Sequence, residues 1–181
     1  IGAARTQPNK VTYSSAGNAS NLHVAVELFN VLTGVKMLHI PYKGGGPALT
    51  AVLGGEADLS VLAVSAVQPY IDSGRLRALG ITSVKRMSML PQMPTVAEAG
   101  VPGYEFASWV GLLAPSSTPA ATVSSVNALA VKAMRSPDLI ERFTRDATEV
   151  VANTPSEFRI FIQAEARRWA RVVKESGMKA D

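Results

Sequence analysis

The feature that most constrains this chain is a rhythm over residues 11–82. Short apolar or β-branched runs alternate with amphipathic segments, and Gly, Pro, Ser or Asn marks the junctions. Val11–Ser15 reads as a strand running into a turn. Asn18 or Ser20 can cap the following helix by accepting from its free backbone N–H groups. Leu22, Val26, Phe29, Val31 and Leu32 give that helix an apolar face, and Gly34 is placed to end it. Residues 36–40 form a second strand closing on Pro41. Lys43–Gly46 is a tight strand-to-helix turn, and Pro47 stands where a first helical residue is favoured. Leu49, Val52 and Leu53 supply the next buried face. Asp58–Leu62 is a third strand, 65–73 a short helix, and Leu76–Thr82 a further apolar strand. Strands joined through helices by brief connections predict an α/β fold with a mostly parallel sheet flanked by helices.

The register changes at Ser83. Pro91, Pro94 and Pro102 mark residues 83–103 as a connector, within which Thr95-Val96-Ala97-Glu98 is a capping box ended by Gly100. Phe106–Ala114 reads as another strand and 148–152 as a short one. Helices are expected at about 119–135 and 137–146, the second capped by Ser136 with Pro137 first. In the last helix Thr154 caps, Pro155 leads, Glu157 closes the box and Gly177 ends it. Its apolar stripe is Phe158, Phe161, Ile162, Trp169, Val172 and Val173.

Composition narrows the chemistry. With 47% apolar residues the chain can bury a sizeable core. The pI near 9.6 invites a nucleic-acid partner, but the charge is spread: residues 1–100 carry eight Lys/Arg against five Asp/Glu, residues 101–181 ten against nine. Nucleic-acid binders gather charge on one face and interleave aromatics, and aromatics here are 6%, so no nucleic-acid partner is expected. Cysteine is absent, which removes thiolate chemistry and disulfides. No G-x-S-x-G, H-E-x-x-H, Walker or dinucleotide fingerprint occurs. His23 and His39 lack a third ligand for a metal, so neither a metal nor another cofactor is expected. A Ser14 or Ser15 nucleophile served by His23, with Glu27 as the one carboxylate placed to orient it, is the remaining enzymatic arrangement, and the reading favours no catalysis.

The loop Ser14-Ser15-Ala16-Gly17-Asn18-Ala19-Ser20 is the candidate binding site. It joins the carboxyl end of a parallel strand to a helix start, where α/β sheets place ligands. Small residues let backbone N–H groups approach a ligand, and the helix N-terminus favours an anion. The alternative is that Asn18 and Ser20 only cap the helix.

A set of ordered motifs then extends the reading. His39-Ile40-Pro41-Tyr42-Lys43-Gly44, Pro47–Thr50, Gly54-Gly55-Glu56-Ala57-Asp58-Leu59 and Gly74–Leu79 are followed by Pro94–Gly100, Trp109-Val110-Gly111 and Ala114-Pro115. The sequence resembles the Bug family, the TctC-like periplasmic receptors of tripartite tricarboxylate transporters. The resemblance runs from about Lys10 to Gly177. It implies a periplasmic-binding-protein-like lobe over residues 10–100, with residues 101–181 supplying the C-terminal part of a second lobe whose N-terminal half is absent. It also implies a small mono-, di- or tricarboxylate held by loop backbone groups, with Ser14–Ser20 as one jaw of the grip. The turn carrying Ala63 and Ser65 would face the same cleft. Relatives often have Asp, Asn or Gly where this chain has Ala63-Val64, which disfavours a ligand with an amino group.

The implied role is capture in the periplasm and delivery to the membrane subunits of a transporter, a signal peptide lying in the absent part. The chain begins Ile1-Gly2-Ala3-Ala4-Arg5 without an initiator Met, which reads as a processed or excised chain. Alternatives are a ligand sensor for a signalling partner and a remnant without ligand. Apolar faces after residue 104 would lack cover, so a homodimer or domain swap is expected to hide them.

Overall fold

The computed structural model describes residues 1–87 and 90–179. The chain forms two compact units, residues 1–108 with 170–181, and residues 109–169.

In the first unit a short helix α1 (Gly2–Thr6) precedes strand β1 (Thr12–Ser15), helix α2 (Asn21–Thr33), strand β2 (Leu38–Pro41), helix α3 (Gly45–Leu53), strand β3 (Leu59–Ser60) and helix α4 (Val64–Asp72). The strands pair in parallel in the order β2-β1-β3. The expected fold class is therefore what forms, with β1 at the sheet's centre. Successive β1 side chains point to opposite faces. Tyr13 reaches Glu27 of α2, whereas Ser14 reaches the Ala48 carbonyl of α3, so α2 and α3 cover opposite sides. Asp58 fastens the β3 edge by accepting from the Thr12 N–H and hydroxyl. On the α2 side the core gathers Ala4, Tyr13, Val26, Val35 and Met37, with Phe29 and Leu59 against them.

Local signals act as read. Ser20 caps α2 by accepting from the His23 N–H, and Gly34 ends it at φ 65°. The buried face of α3 differs from the expected one: Ala48 and Ala51 are buried, while Leu49, Val52 and Leu53 are half-buried. Small residues face inward because the helix lies close enough for Ser14 Oγ to reach its backbone. The Thr95–Glu98 box closes reciprocally, Thr95 N–H donating to Glu98 and Glu98 N–H to Thr95 Oγ1, at 2.9 and 3.1 Å. Arg86 pairs with the same carboxylate, and together these contacts hold Glu98 below the usual carboxylate range. Ser88 and Met89 of the expected connector lie outside the described residues.

Three expected strands do not form. Leu76–Thr82 keeps only a single bridge, Ile81 to Thr95, and neither Phe106–Ala114 nor 148–152 enters a sheet. An apolar run becomes a strand only where a neighbour takes up its backbone hydrogen bonds, and the described residues offer these runs no such ladder. The third strand likewise shortens from Asp58–Leu62 to β3.

In the second unit, helices α5 (Ala120–Met134) and α6 (Pro137–Arg145) lead to α7 (Pro155–Ser176), whose last residues belong to the first unit. Ser136 occupies the cap position of α6, but its side chain makes no cap bond. Thr154 and Glu157 close their box as expected. Trp109, Phe158 and Phe161 form an aromatic cluster. Beside it Val110, Leu112 and Leu113 are 100%, 77% and 79% exposed.

Candidate functional site

Parallel pairing brings the ends of β1, β2 and β3 to one edge of the sheet, where the chain turns into α2, α3 and α4. Three loops, 16–20, 42–44 and 61–63, and three helix N-termini therefore share that edge. None of these helices has an acidic residue in its first turn, and α3 and α4 carry no side-chain cap. The edge thus concentrates helix-start partial positive charge without an acid to neutralise it.

Within the first loop the residues divide in two. Ser14 and Ser15 are fully buried and their hydroxyls are engaged within the protein. Ser14 Oγ donates to the Ala48 carbonyl at 2.8 Å. Ser15 Oγ lies 3.0 Å from the Gly17 carbonyl and accepts from the Gly17 N–H at 3.2 Å, closing a small turn. Ala16, Gly17 and Ser20 are half-buried, and Asn18 and Ala19 are exposed. These five form the surface the loop presents. Gly17 takes φ 126°, a conformation open to glycine at little cost. Ala19 also has a positive φ, 54°. Ser20 N–H returns to the Gly17 carbonyl at 3.2 Å.

The second loop is tied to the first. Tyr42 N–H donates to the Ser15 carbonyl and Gly44 N–H to the Ala16 carbonyl, at 3.0 and 3.3 Å. Tyr42's phenol donates to Glu56, which pushes its pKa up. Ala63 stands at the α4 cap position, its carbonyl accepting from Ala66 N–H, and both Ala63 and Ser65 are exposed.

Behind the loop lies a buried polar stack that sequence reasoning did not assemble. The β1–β2 register sets Tyr13 beside His39, and their rings stack at 4.9 Å. His23, in the first turn of α2, stacks on His39 at 3.8 Å. Its Nδ1 accepts from the Ala19 N–H at 3.1 Å. Ser15 Oγ meets His39 Nε2 at 2.6 Å, and not His23 as the enzymatic alternative required. Glu27 is not an orienting acid for His23 either: its Oε1 accepts from the Tyr13 phenol at 2.6 Å and from Asn30 Nδ2 at 2.9 Å. Burial lowers the pKa of His23. His39 falls to about 4, through burial first and the neighbouring His23 second, with Glu27 opposing. Burial and Glu27 push the Tyr13 phenol up, so at neutral pH the stack is two neutral imidazoles and a neutral phenol on one carboxylate. Nothing local in sequence pairs His39 with residues 13, 15 or 23. The only available signal was their placement on consecutive strands and the helix between them.

Among the described residues no group of His, Asp and Glu could hold a metal ion, and no helix is long and apolar enough to cross a membrane.

Comparison with known proteins gives a consistent set of matches. The family model described as tripartite tricarboxylate transporter family receptor matches residues 1–178. Protein BugT of Bordetella pertussis is 36% identical over 179 residues, which cover 99% of this chain and 55% of that protein. An R. palustris protein solved with adipate superposes with a TM-score of 0.87 at 34% identity, covering 98% of this chain and 59% of the other. The periplasmic binding protein BugD superposes with a TM-score of 0.84 at 29% identity, covering 98% and 60%. The chain thus spans about half the length of BugT and about three-fifths of these solved relatives.

Proposed function

The chain belongs to the tripartite tricarboxylate transporter receptor family, and from that premise we propose that it forms the carboxylate-gripping part of a periplasmic solute receptor. It binds a small mono-, di- or tricarboxylate, uses no metal or other cofactor, leaves the ligand chemically unchanged, and serves the membrane subunits of a tripartite transporter. Residues 10–100 are the lobe that bears the grip, and residues 101–181 contribute to a second lobe. The observation that carries this reading is the shared sheet edge, where three helix starts without first-turn acids meet a loop of small residues. An anion there gains backbone N–H donors and aligned peptide dipoles without needing Lys or Arg. Adipate in the solved relative is an anion of this class.

The grip comprises Ala16, Gly17, Asn18, Ala19 and Ser20 from one loop, with Ala63 and Ser65 from another. Ser14 and Ser15 fix the loop from beneath through the bonds described above. Calorimetry with adipate, malate and citrate against a neutral diol tests the proposal. At least one acid should bind, the diol should not, and Gly17→Val should weaken binding more than Ser20→Ala. The reason is that valine at φ 126° strains the loop backbone, whereas Ser20→Ala removes one hydroxyl, the cap on His23 N–H, and leaves that backbone unstrained. No heat with any acid, or equal affinities in the two variants, refutes it. The exposed Val110, Leu112 and Leu113 support self-association through this segment, and a clean monomer by sedimentation at high concentration removes that part.

A further inference from the structure

We propose that His23 is a positioning residue: it holds the 16–20 loop in its ligand-ready shape only while Nδ1 is unprotonated, so that proton uptake releases the loop and weakens carboxylate binding. The step from loop shape to affinity rests on the carboxylate reading above. The loop's own geometry does not.

The argument starts from Ala19. An alanine at φ 54° holds a conformation L-residues disfavour, so neighbouring contacts must maintain it. Two bonds do so: Ala19 N–H to His23 Nδ1, and Ser20 N–H to the Gly17 carbonyl. The first is conditional. A neutral imidazole has one acceptor nitrogen, whereas an imidazolium donates from both. Protonation of Nδ1 therefore sets a donor against the Ala19 donor at a ring only 6% exposed. Its surroundings give the new charge little relief. From β2, His39 stacks on it at 3.8 Å, and from β1, Tyr13 lies 6.1 Å away. Glu27, one helical turn further along α2, is already occupied by Tyr13 and Asn30. His39 falls to about 4, lowered in part by charge on His23, so it is still neutral as His23 takes up its proton and supplies no counter-charge.

The sign follows from these contacts. Burial lowers the pKa of His23 from its ordinary value near 6.5, so at neutral pH the ring accepts and the loop is closed. As pH falls through the lowered pKa of His23 the ring protonates, Ala19 N–H loses its acceptor, and residues 16–20 are freed.

The test compares wild type with His23→Asn and His23→Leu, using the whole chain. Asn places a non-titrating oxygen near the position of Nδ1, and Leu places none. Two quantities are read against pH: the exchange protection factor of the Ala19 amide, and adipate affinity by calorimetry. In wild type, protection should fall as His23 titrates, and affinity should fall about tenfold per pH unit below that midpoint, beyond the decline seen in His23→Asn. Adipate's own titration is common to both proteins and cancels. His23→Asn should keep Ala19 protected throughout, and His23→Leu should lose that protection at every pH. Identical pH profiles in wild type and His23→Asn, or a protected Ala19 in His23→Leu, overturn the proposal. If Leu fails to fold, the wild-type and Asn profiles decide alone. Protection that follows His23 while none of adipate, malate and citrate binds at any pH supports the loop mechanism and refutes the carboxylate reading.

Discussion

Replacing Tyr13 with Phe removes one oxygen from the centre of the first unit and leaves the ring in place. That ring is fully buried against Val26, Val35 and Met37, so its apolar contribution and its stacking on His39 survive. What is lost is the 2.6 Å bond from the phenol to Glu27. Hydrogen bonds to charged groups are worth roughly 1.5–3 kcal/mol. Glu27 keeps Asn30 as a donor and is half-buried, so water recovers part of the loss and the lower half of that range applies. We expect destabilisation of about 1.5–2 kcal/mol, or a Tm lower by roughly 3–8 °C for a chain of this size. Urea unfolding at pH 7 of wild type, Tyr13→Phe, Glu27→Gln and the double variant gives the coupling directly. A coupling of about 1 kcal/mol or more is expected. A coupling near zero, with Tyr13→Phe as stable as wild type, would show that the phenol and the carboxylate do not support each other.

His39 makes the acid limb of stability steep. Its folded pKa of about 4 lies below the ordinary 6.5, so its neutral form is favoured by folding. The contribution is full above pH 6.5 and drains away as pH falls toward 4. The shift sets a ceiling of roughly 3 kcal/mol, cut to about 1–2 by solvent screening of a ring that keeps partial exposure. His39→Gln should flatten urea midpoints between pH 4 and 7, and an unchanged slope sinks the idea. Thr95→Ala removes the acceptor for Glu98 N–H at a buried cap and should cost about 1 kcal/mol, with Thr95→Ser restoring most of it. At Gly111 an added Cβ would collide with the Phe158 ring at Cζ. Gly111→Ala should therefore displace that ring, cost about 1–3 kcal/mol and shift Trp109 emission. An unaltered spectrum and stability would mean that residues 109–111 do not pack on α7 as described.

Sequence by itself determined the features that close over three or four residues. Ser20 and Gly34 bound α2, Thr95 with Glu98 and Thr154 with Glu157 form their boxes, and Gly177 ends α7, because each donor and acceptor lies within one turn of its partner. The alternation over residues 11–60 likewise carried the three parallel strands, and the resemblance pointed to the loop at their carboxyl edge. Tertiary structure decided what needs a partner distant in sequence. Leu76–Thr82 and Phe106–Ala114 are as apolar as β1 and β2, yet their backbone bonds are scattered, Ile81 N–H on the Pro94 carbonyl and Phe106 N–H on the Thr82 carbonyl, and among the described residues they build no continuous ladder. The stack of Tyr13, His39 and His23 behind the loop depends on pairing residue 13 with residue 39. No local pattern encodes that register. The 16–20 loop was legible as a helix start, and His23, whose ring accepts from the Ala19 N–H, lies only four residues further on; what the placing of β2 beside β1 decided is that this ring is buried against His39.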